Sequence, residues 1–259
     1  ISRLVKLVCT FIQNFKTNGL TIDDFFRFEN TTTNERSKLF LAICEQCYYE
    51  YAKRLKEKHA IDFEDMINDS ARILREEELK GTKLDFRYII VDEYQDISRQ
   101  RFNLTKELSR MCNAKIIAVG DDWQSIYRFA GSDISLFKQF SKYFGYCKEC
   151  RMETTYRFGN PCVERSSRFI LTNREQKEKT VRPFSPDVRT DLQFFATSGA
   201  GGMAMKVKEI LSALPQDSSV YLLGRYGSDV NSLDGTFAVN YGKDGKVTVS
   251  CGDRKMAFM

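Results

Sequence analysis

The sequence lacks any apolar run close to the roughly 20 residues that a transmembrane helix needs. It also contains no internal repeat and no low-complexity tract, and its first residues, ISRLVKLVCTFIQNFK, lack the cleavage pattern of a signal peptide. We therefore expect a cytoplasmic protein that has no membrane partner. The net charge of +5 is mild, so it permits a nucleic-acid partner without indicating one.

The remaining composition is that of a soluble globular protein with reduced thiols. At 259 residues the chain can form one large or two ordinary domains, and 42% of its residues are hydrophobic. Its eight cysteines lie mostly within apolar segments, which is typical of free thiols in a reducing compartment. Two pairs have the C-x-x-C spacing of zinc ligands: Cys44 with Cys47, and Cys147 with Cys150. A zinc site would need four ligands in one closed geometry, so buried free thiols are the favoured interpretation.

Hydrophobic periodicity divides the chain into a helical part and a part that alternates strands with helices. From residue 1 to about residue 80, apolar residues recur at helical spacing, as in NERSKLFLAICEQCYYEYAKRLKEK. The segments FRYIIVDE, SRQRFNLTKELSRMC and AKIIAVGD then predict a strand, a helix and a second strand. This order predicts a parallel sheet whose strands are buried on both faces. Further strands are predicted in KECRMETTYRF and SSVYLLGRY, and the tail predicts antiparallel strands around a GKDGK turn.

Both of the first two strands end in acidic and carboxamide side chains. YIIV is followed by Asp92, Glu93 and Gln95, and IIAV is followed by Asp121 and Gln124. In open parallel sheets the functional groups sit past the carboxyl ends of the strands. Carboxylates at that position commonly hold a hard cation such as Mg²⁺ beside a phosphate. Each cluster alone could also be solvated, or could cap the helix that follows.

A third polar block, ETTYRFGNP, supplies Tyr156 and Arg157 soon afterwards. Carboxylates for a metal ion, a carboxamide, and an arginine with a bidentate fork are the parts expected of phosphoryl transfer. The three blocks in this order are harder to explain as solvated strand ends. They indicate a site that acts on a nucleotide.

The three blocks resemble motifs II, III and IV of the UvrD/Rep-like superfamily 1 DNA helicases, in VDEYQD, VGDDWQSIYRFAGSD and TTYRF. AIDFEDMI, residues 60–67, resembles the short motif before motif II, and motif III is most similar to the helicase IV branch. The resemblance implies an α/β fold of the RecA-like, P-loop NTPase type, with helices on both faces of a parallel sheet. It implies a 1B-like helical segment and the helix leading into motif II at 1–84, the C-terminal part of the first RecA-like domain at 85–158, and the start of the second, truncated before motif V, at 159–259.

Carried over residue by residue, the resemblance implies that ATP and Mg²⁺ are the cofactors. Asp92 would hold Mg²⁺ at the nucleotide, and Glu93 would activate the attacking water. Gln95 would tie the site to neighbouring motifs. Gln124 would sense the γ-phosphate and relay its loss toward DNA.

Motif IV would supply the remaining nucleotide contacts. The resemblance implies that Tyr156 stacks on the adenine and that Arg157 reaches the γ-phosphate as an arginine finger. This agrees with the chemistry, because a loose phosphoryl transition state needs positioning and positive charge more than covalent catalysis.

The resemblance also implies single-stranded and duplex-junction DNA as partners. Tyr127 and Phe129 occupy positions where the family stacks bases on aromatic rings, and core packing is the alternative for Phe129. Trp123 is expected outside the deep core, because its indole N–H needs a partner. Phe63 could likewise meet DNA, although packing in a helical core is the favoured interpretation of its ring.

The sequence also departs from the family's pattern. No G-x-x-x-x-G-K-S/T occurs, so the phosphate cradle and its lysine are missing, as are motifs V and VI. Ala130 stands where many relatives have arginine, which puts one polar link to the nucleotide in doubt. We therefore expect an internal fragment of an ATP-dependent 3′ to 5′ DNA helicase. It would be inactive alone and would depend on the rest of the same polypeptide.

Two other interpretations stay open. A degenerate homologue would bind DNA or act as a scaffold without ATPase activity, and a helicase–nuclease subunit would belong to the same family. A P-loop before residue 1 and a motif VI arginine after residue 259 would support the motor. A chain that naturally starts at residue 1 would support the degenerate module.

Overall fold

The structure is a computed structural model that describes residues 2–174, 176, 178–186, 192–233, 235–242 and 245–259. Its α-helices are α1 (Ser2–Thr17), α2 (Asp23–Thr31), α3 (Glu35–Glu57), α4 (Phe63–Leu79), α5 (Arg99–Cys112), α6 (Ile134–Lys138), α7 (Phe140–Phe144), α8 (Asn160–Ile170) and α9 (Gly199–Ala213). Its strands are β1 (Tyr88–Val91), β2 (Lys115–Ala118), β3 (Thr154–Thr155), β4 (Arg182–Pro183), β5 (Tyr221–Leu222), β6 (Ala238–Tyr241), β7 (Val247–Cys251) and β8 (Arg254–Phe258). Short 3₁₀ turns lie at Tyr94–Asp96, Asp122–Gln124, Arg128–Ala130 and Gly227–Leu233.

The chain folds into two compact units, residues 1–190 and 191–259. The domain boundary expected between residues 158 and 159 falls inside the first unit. Compact units and motor domains are different divisions of a chain, so that boundary stays a prediction. Within the described helices, none is both long and apolar enough to cross a lipid bilayer.

The expected parallel sheet with helices on both faces is present only as small pieces. β1 and β2 pair in parallel, from Tyr88 opposite Lys115 to Val91 opposite Ala118, and α5 is the crossover between them. β3 and β4 form a separate parallel pair of two residues each. In the part of the chain that the structure describes, no single sheet joins these pieces.

The expectation that β1 is buried on both faces is wrong. Ile90 is 70% exposed and Tyr88 is 58% exposed, whereas Ile89 and Val91 are half-buried. Side chains alternate between the two faces of a strand, so this pattern means that only one face is covered. The apolar run reflects a strand with two apolar faces, of which the described residues cover one.

The helical pattern predicted for the first 80 residues is confirmed by α1 to α4. Helices α1, α2 and α3 share an aromatic core, in which the rings of Phe15 and Phe25 stack with centroids 4.3 Å apart. Helix α3 begins at an N-cap, since the Asn34 side chain accepts hydrogen bonds from two backbone N–H groups of its first turn. Helix α4 begins in the same way, with Asp62 accepting from the backbone N–H of Asp65 at 2.7 Å.

The second unit, residues 191–259, is a helix packed on a small mixed sheet. The strand order is β5-β8-β7-β6, and β6, β7 and β8 are antiparallel neighbours, which confirms the strands predicted in the tail. The predicted strand SSVYLLGRY is reduced to Tyr221–Leu222, which pairs in parallel with β8. The core of this unit contains Val230, Val249 and Met256, and Ala204 and Leu211 of α9 pack on it.

The thiol prediction is confirmed for one cysteine of the two C-x-x-C pairs. Cys44 is buried in the core of α1 to α3, where burial, followed by the nearby Cys47 thiol, raises its pKa to about 11. Its partner Cys47 is exposed, and so are Cys147 and Cys150, so burial is the wrong interpretation for these three. Within α3 the difference between Cys44 and Cys47 follows from position, because residues i and i+3 share a face only approximately.

Candidate functional site

The polar ends of β1 and β2 meet at one edge of the parallel pair. Beyond the strands, the ladder continues through two backbone hydrogen bonds: Val119 N–H donates to the Val91 carbonyl at 2.9 Å, and Tyr94 N–H donates to the Val119 carbonyl at 2.8 Å. The chain then turns away on both sides, into the 3₁₀ turns at Tyr94–Asp96 and Asp122–Gln124. The residues between strand and turn are therefore held by main-chain bonds next to each other.

Gln95 joins the two strand ends, although it is 1% exposed. Its Nε2 donates to Glu93 Oε2 at 2.7 Å, and its Oε1 accepts from the Asp121 backbone N–H at 2.9 Å. Gly120 makes this arrangement possible, because a Cβ at that position would lie 2.6 Å from Gln95 Oε1. The carboxamide thus fixes one carboxylate after β1 relative to the loop after β2.

Glu93 has a backbone conformation that non-glycine residues seldom adopt, with φ of 49° and ψ of 40°. Its backbone N–H donates a hydrogen bond to Asp92 Oδ1 at 2.9 Å. Such strain costs of order 1–3 kcal/mol and persists where the surroundings impose it, often at functional sites. Both Asp92 and Glu93 are exposed, so their carboxylates are open to a ligand.

The loop after β2 is organised by Asp121. This carboxylate accepts hydrogen bonds from the Trp123 backbone N–H at 3.0 Å and from Gln124 Nε2 at 2.8 Å. Together with the Gln95 bridge, these contacts form a continuous path from Glu93 through Gln95 and Asp121 to Gln124. The path runs from the residue expected to activate water to the residue expected to sense the γ-phosphate.

Lys179 makes an ion pair with this loop that the sequence did not predict. Its ammonium contacts Asp121 and lies 2.6 Å from Asp122 Oδ1, and it sits 4.8 Å from the centroid of the Trp123 ring. Burial opposes ionisation of Asp121, but the Lys179 ammonium and the Gln124 carboxamide outweigh it, so its pKa is lowered from the ordinary value. Lys179 lies in a charged stretch, REQKEKT, where nothing in the spacing marks one lysine from another.

Tyr156 and Arg157 follow β3 and lie apart from this path. Tyr156 is 75% exposed and its ring packs on Phe184, with centroids 4.7 Å apart and planes inclined by 31°. Arg157 is exposed, and its backbone N–H donates to the Thr155 hydroxyl at 3.4 Å. Among the described residues, no hydrogen bond or ion pair joins either side chain to Asp92, Glu93 or Gln124. The structure therefore brings together the groups of motifs II and III, and leaves those of motif IV separate.

The aromatic candidates for DNA contact are largely exposed. Phe129 is 78% exposed and Tyr127 is 50% exposed, and their ring centroids are 6.1 Å apart. Phe63, the first residue of α4, is 79% exposed, so the expectation that it packs in a helical core is wrong. Trp123 is half-buried beneath Lys179, which confirms that it lies outside the deep core.

The donor set fits a magnesium ion bound together with a phosphate. Two neighbouring exposed carboxylates, Asp92 and Glu93, are oxygen donors of the kind that Mg²⁺ prefers. Within the described ranges, no group of three or more His, Cys, Asp or Glu side chains is arranged to hold a metal by itself. This agrees with the usual Mg²⁺ site at a nucleotide, where one or two carboxylates share the ion with water and substrate phosphates.

Comparison with known proteins shows that the chain is similar to a group of DNA helicases. Residues 2–145 match the family model of the UvrD/REP helicase N-terminal domain. The chain is 41% identical over 127 residues to DNA helicase IV of Escherichia coli (strain K12), covering 48% of this chain and 18% of that protein. It is 28% identical over 191 residues to the putative ATP-dependent DNA helicase YjcD of Bacillus subtilis (strain 168), covering 72% and 25%. It is 30% identical over 141 residues to the ATP-dependent DNA helicase PcrA of the same strain, covering 54% and 19%. The matched stretches thus span a quarter or less of these relatives.

Proposed function

Because this chain belongs to the UvrD/REP helicase family, we propose that it forms part of an ATP-dependent DNA helicase. In this proposal a longer polypeptide hydrolyses ATP to move along single-stranded DNA, from 3′ to 5′, and to unwind duplex junctions. The observation that carries the proposal is the path of hydrogen bonds from Glu93 through Gln95 and Asp121 to Gln124. Family membership supports the resemblance drawn from the motifs, and relatives in the family are named as ATP-dependent DNA helicases.

The proposed chemistry assigns separate tasks to the two exposed carboxylates. Asp92 holds Mg²⁺, which when bound neutralises charge on the phosphates. Glu93 accepts the proton of the attacking water, and its strained backbone and the Gln95 amide fix the direction of its carboxylate. A base held in this way needs little reorganisation when the reaction occurs.

Gln124 is proposed to sense the γ-phosphate, and the contacts around it support that task. It is exposed toward solvent, while its Nε2 is held by Asp121, so a ligand at the strand ends competes for the same amide. A change at Gln124 is transmitted through Asp121 and Gln95 to Glu93. Tyr156 is proposed to contact the adenine and Arg157 the γ-phosphate, as the motif implies. For this, the β3–β4 pair that precedes and follows them would approach the polar edge of the β1–β2 pair.

DNA is proposed to stack on Tyr127 and Phe129, which lie three and five residues beyond Gln124 in the chain. Their exposed, tilted rings offer apolar faces to bases of any sequence, which suits a motor that moves along arbitrary DNA. Trp123 and Phe63 are further candidates for this surface. Because these rings follow Gln124 closely in the chain, contact with a base is coupled to the polar edge of the β1–β2 pair, where the nucleotide is proposed to bind. We call this edge the nucleotide edge.

The missing P-loop leads us to propose that the 259 residues do not hydrolyse ATP alone. The phosphates would lose the backbone amide cradle and the lysine that normally bind them. The remaining polypeptide would supply these groups and motifs V and VI. A second candidate is a degenerate module that binds DNA without ATP turnover, and the departure from the family's pattern at Ala130 favours it.

The two carboxylates can be separated by substitution in the longer polypeptide. We expect Glu93→Gln to leave binding of Mg²⁺-ATP nearly intact and to lower turnover by about 10²–10⁴-fold, the range for removal of a general base. Asp92→Asn should weaken Mg²⁺-dependent binding as well. Nucleotide binding by calorimetry and phosphate release on the same preparations measure both effects.

Asp85→Asn is the matched control, because Asp85 is exposed and precedes β1 at the opposite end of the strand. It should change neither binding nor turnover. Near-normal turnover in both the Glu93 and the Asp92 variants would refute the assignment of the site.

A further inference from the structure

Lys179 connects a distant part of the sequence to the nucleotide edge. It lies 57 residues after Asp122 in the chain and 58 after Asp121, beyond β3 and α8. Its side chain is only 25% exposed, whereas most of the ion pairs among the described residues involve well-exposed lysine or arginine side chains. A lysine held at this depth by two carboxylates is fixed in position.

The buried carboxylate of Asp122 is the reason that a cation is needed beside the loop after β2. Its side chain is 8% exposed, and its Oδ2 is buried without a hydrogen-bond partner among the described residues. A buried carboxylate requires a counter-charge or it becomes neutral. In the part of the chain that the structure describes, Lys179 is the cation that supplies it.

The same ammonium also orients the loop. It contacts Asp121, whose carboxylate carries the hydrogen bond to Gln124 Nε2 and the bond to the Trp123 N–H. It lies over the Trp123 ring, which adds a cation–π contact on the other side of the loop. Removing the ammonium would free Asp121 to turn, and Gln124 would lose its fixed direction.

We propose that Lys179 is a positioning residue that aligns Gln124 with the γ-phosphate through its ion pairs to Asp121 and Asp122. This inference rests on the proposed function, because it assigns Lys179 to the same ATP site. With the proposed domain boundary between residues 158 and 159, the ion pair joins the second motor domain to motif III of the first. Movement of the segment that carries Lys179 then changes the alignment of Gln124, and ATP turnover depends on the position of that segment.

The kinetic test uses Lys179→Gln and Lys179→Arg in the longer polypeptide, with saturating single-stranded DNA. Removal of an interaction made only in the transition state lowers kcat and leaves KM for ATP nearly unchanged. We expect Lys179→Gln to lower kcat by about tenfold to a hundredfold, the scale for a misplaced catalytic group. Lys179→Arg keeps the positive charge and should recover most of the loss.

Tryptophan fluorescence tests the geometry separately, in the 259-residue chain, because Trp123 is its one tryptophan. Loss of the ammonium from the indole face should shift the emission of the Lys179→Gln variant, and Lys179→Arg should stay close to wild type. Lys148→Gln is the matched control, since Lys148 is exposed and lies in the loop before β3. It should alter neither the emission nor the kinetics.

Each result decides between the alternatives. A lower kcat with rescue by arginine and a shifted emission supports the inference. Unchanged kcat in a Lys179→Gln variant with a lowered melting temperature shows a purely structural ion pair and overturns it, and so does a raised KM with unchanged kcat. If the wild-type polypeptide shows no ATP turnover at all, the proposed function fails and the kinetic part of this inference fails with it. The fluorescence comparison still reports whether Lys179 lies on Trp123.

Discussion

Phe129 is the residue whose surroundings best separate a role in DNA binding from a role in folding. It is 78% exposed, so the alternative of core packing is wrong for this ring. Truncation to alanine therefore opens no cavity. We expect Phe129→Ala to weaken single-stranded DNA binding of the longer polypeptide by ~1–3 kcal/mol per lost stacked base, with little change in melting temperature. Fluorescence anisotropy with a labelled oligonucleotide and a thermal melt of the same sample measure both quantities.

Phe102 provides the opposite case in the same unit. Its ring is 3% exposed and packs on Tyr143 with centroids 4.9 Å apart. Phe102→Ala should lower the free energy of unfolding by ~3–5 kcal/mol and leave DNA affinity per folded molecule unchanged. A Phe129→Ala variant that lost stability but kept its DNA affinity would contradict the proposed stacking of DNA bases on Phe129.

Single residues also mark the limit of what the sequence predicts. The positions of Asp92, Glu93 and Gln124 follow from the acidic ends of two apolar runs, and the structure places them at one edge. Lys179 carries no such signal, because its partners are 57 and 58 residues away and its neighbours in sequence are also charged. Exposure of Phe63 was missed for a related reason, since an aromatic ring at helical spacing indicates a core only if another element covers it.

At the scale of elements, α4 is fixed to α1 by a buried ion pair. Lys16 of α1 is 4% exposed and its Nζ lies 2.5 Å from both Asp62 Oδ2 and Asp65 Oδ1. Asp62 also accepts from the Tyr51 hydroxyl at 2.9 Å and caps α4. Burial opposes ionisation of Asp62, but the hydrogen bond from the Lys16 ammonium and its charge outweigh it and lower the pKa of this carboxyl. Phe63, a candidate DNA contact, directly follows Asp62 and is the first residue of α4.

Removal of the buried lysine should therefore be costly. We expect Lys16→Met to lower the free energy of unfolding by up to ~3–5 kcal/mol, because it leaves two half-buried carboxylates without a counter-charge. Replacing both of these carboxylates with asparagine in the same variant should recover most of the loss. Urea unfolding of the 259-residue chain, followed by circular dichroism, measures the change.

Arg72 offers a surface comparison on α4 itself. It pairs with Asp69 at 3.3 Å and with Glu76 at 2.7 Å, but its side chain is 56% exposed. Arg72→Met should change the free energy of unfolding far less than Lys16→Met does, because solvent-exposed ion pairs contribute little to stability. Equal effects of the Lys16 and Arg72 substitutions would contradict a stabilising role for the buried Lys16 ammonium between α1 and α4.

Elements differ in how far the sequence specifies them. Helices α3 and α4 were predictable because both a capping residue and a repeating apolar face mark them. Strands depend on a partner, which a single segment does not encode. KECRMETTYRF accordingly yields only Thr154–Thr155, which pairs with Arg182–Pro183 across more than 25 residues of chain. β6 and β7 were predictable because the tail alternates apolar and polar residues in two runs that are close in sequence.

At the scale of the whole molecule, two features point to a partner segment for this chain. The matched stretches span a quarter or less of the three relatives. One face of the β1–β2 pair, with Tyr88 and Ile90, is exposed, although parallel strands are ordinarily covered on both faces. We therefore propose that the remaining polypeptide completes the sheet and supplies the phosphate cradle. The sequence indicated the parallel order of β1 and β2 but not which face would stay uncovered.

The central claim is that this chain is part of a motor that unwinds DNA with ATP. Strand displacement tests it most directly, with a labelled oligonucleotide annealed to leave either a 3′ or a 5′ single-stranded tail. The longer polypeptide should release the strand from the 3′-tailed duplex only when Mg²⁺ and ATP are present. The Glu93→Gln variant and the 259-residue chain alone should release none. Binding of the tailed DNA with neither ATP turnover nor strand release by the wild-type polypeptide would contradict the motor and favour the degenerate module.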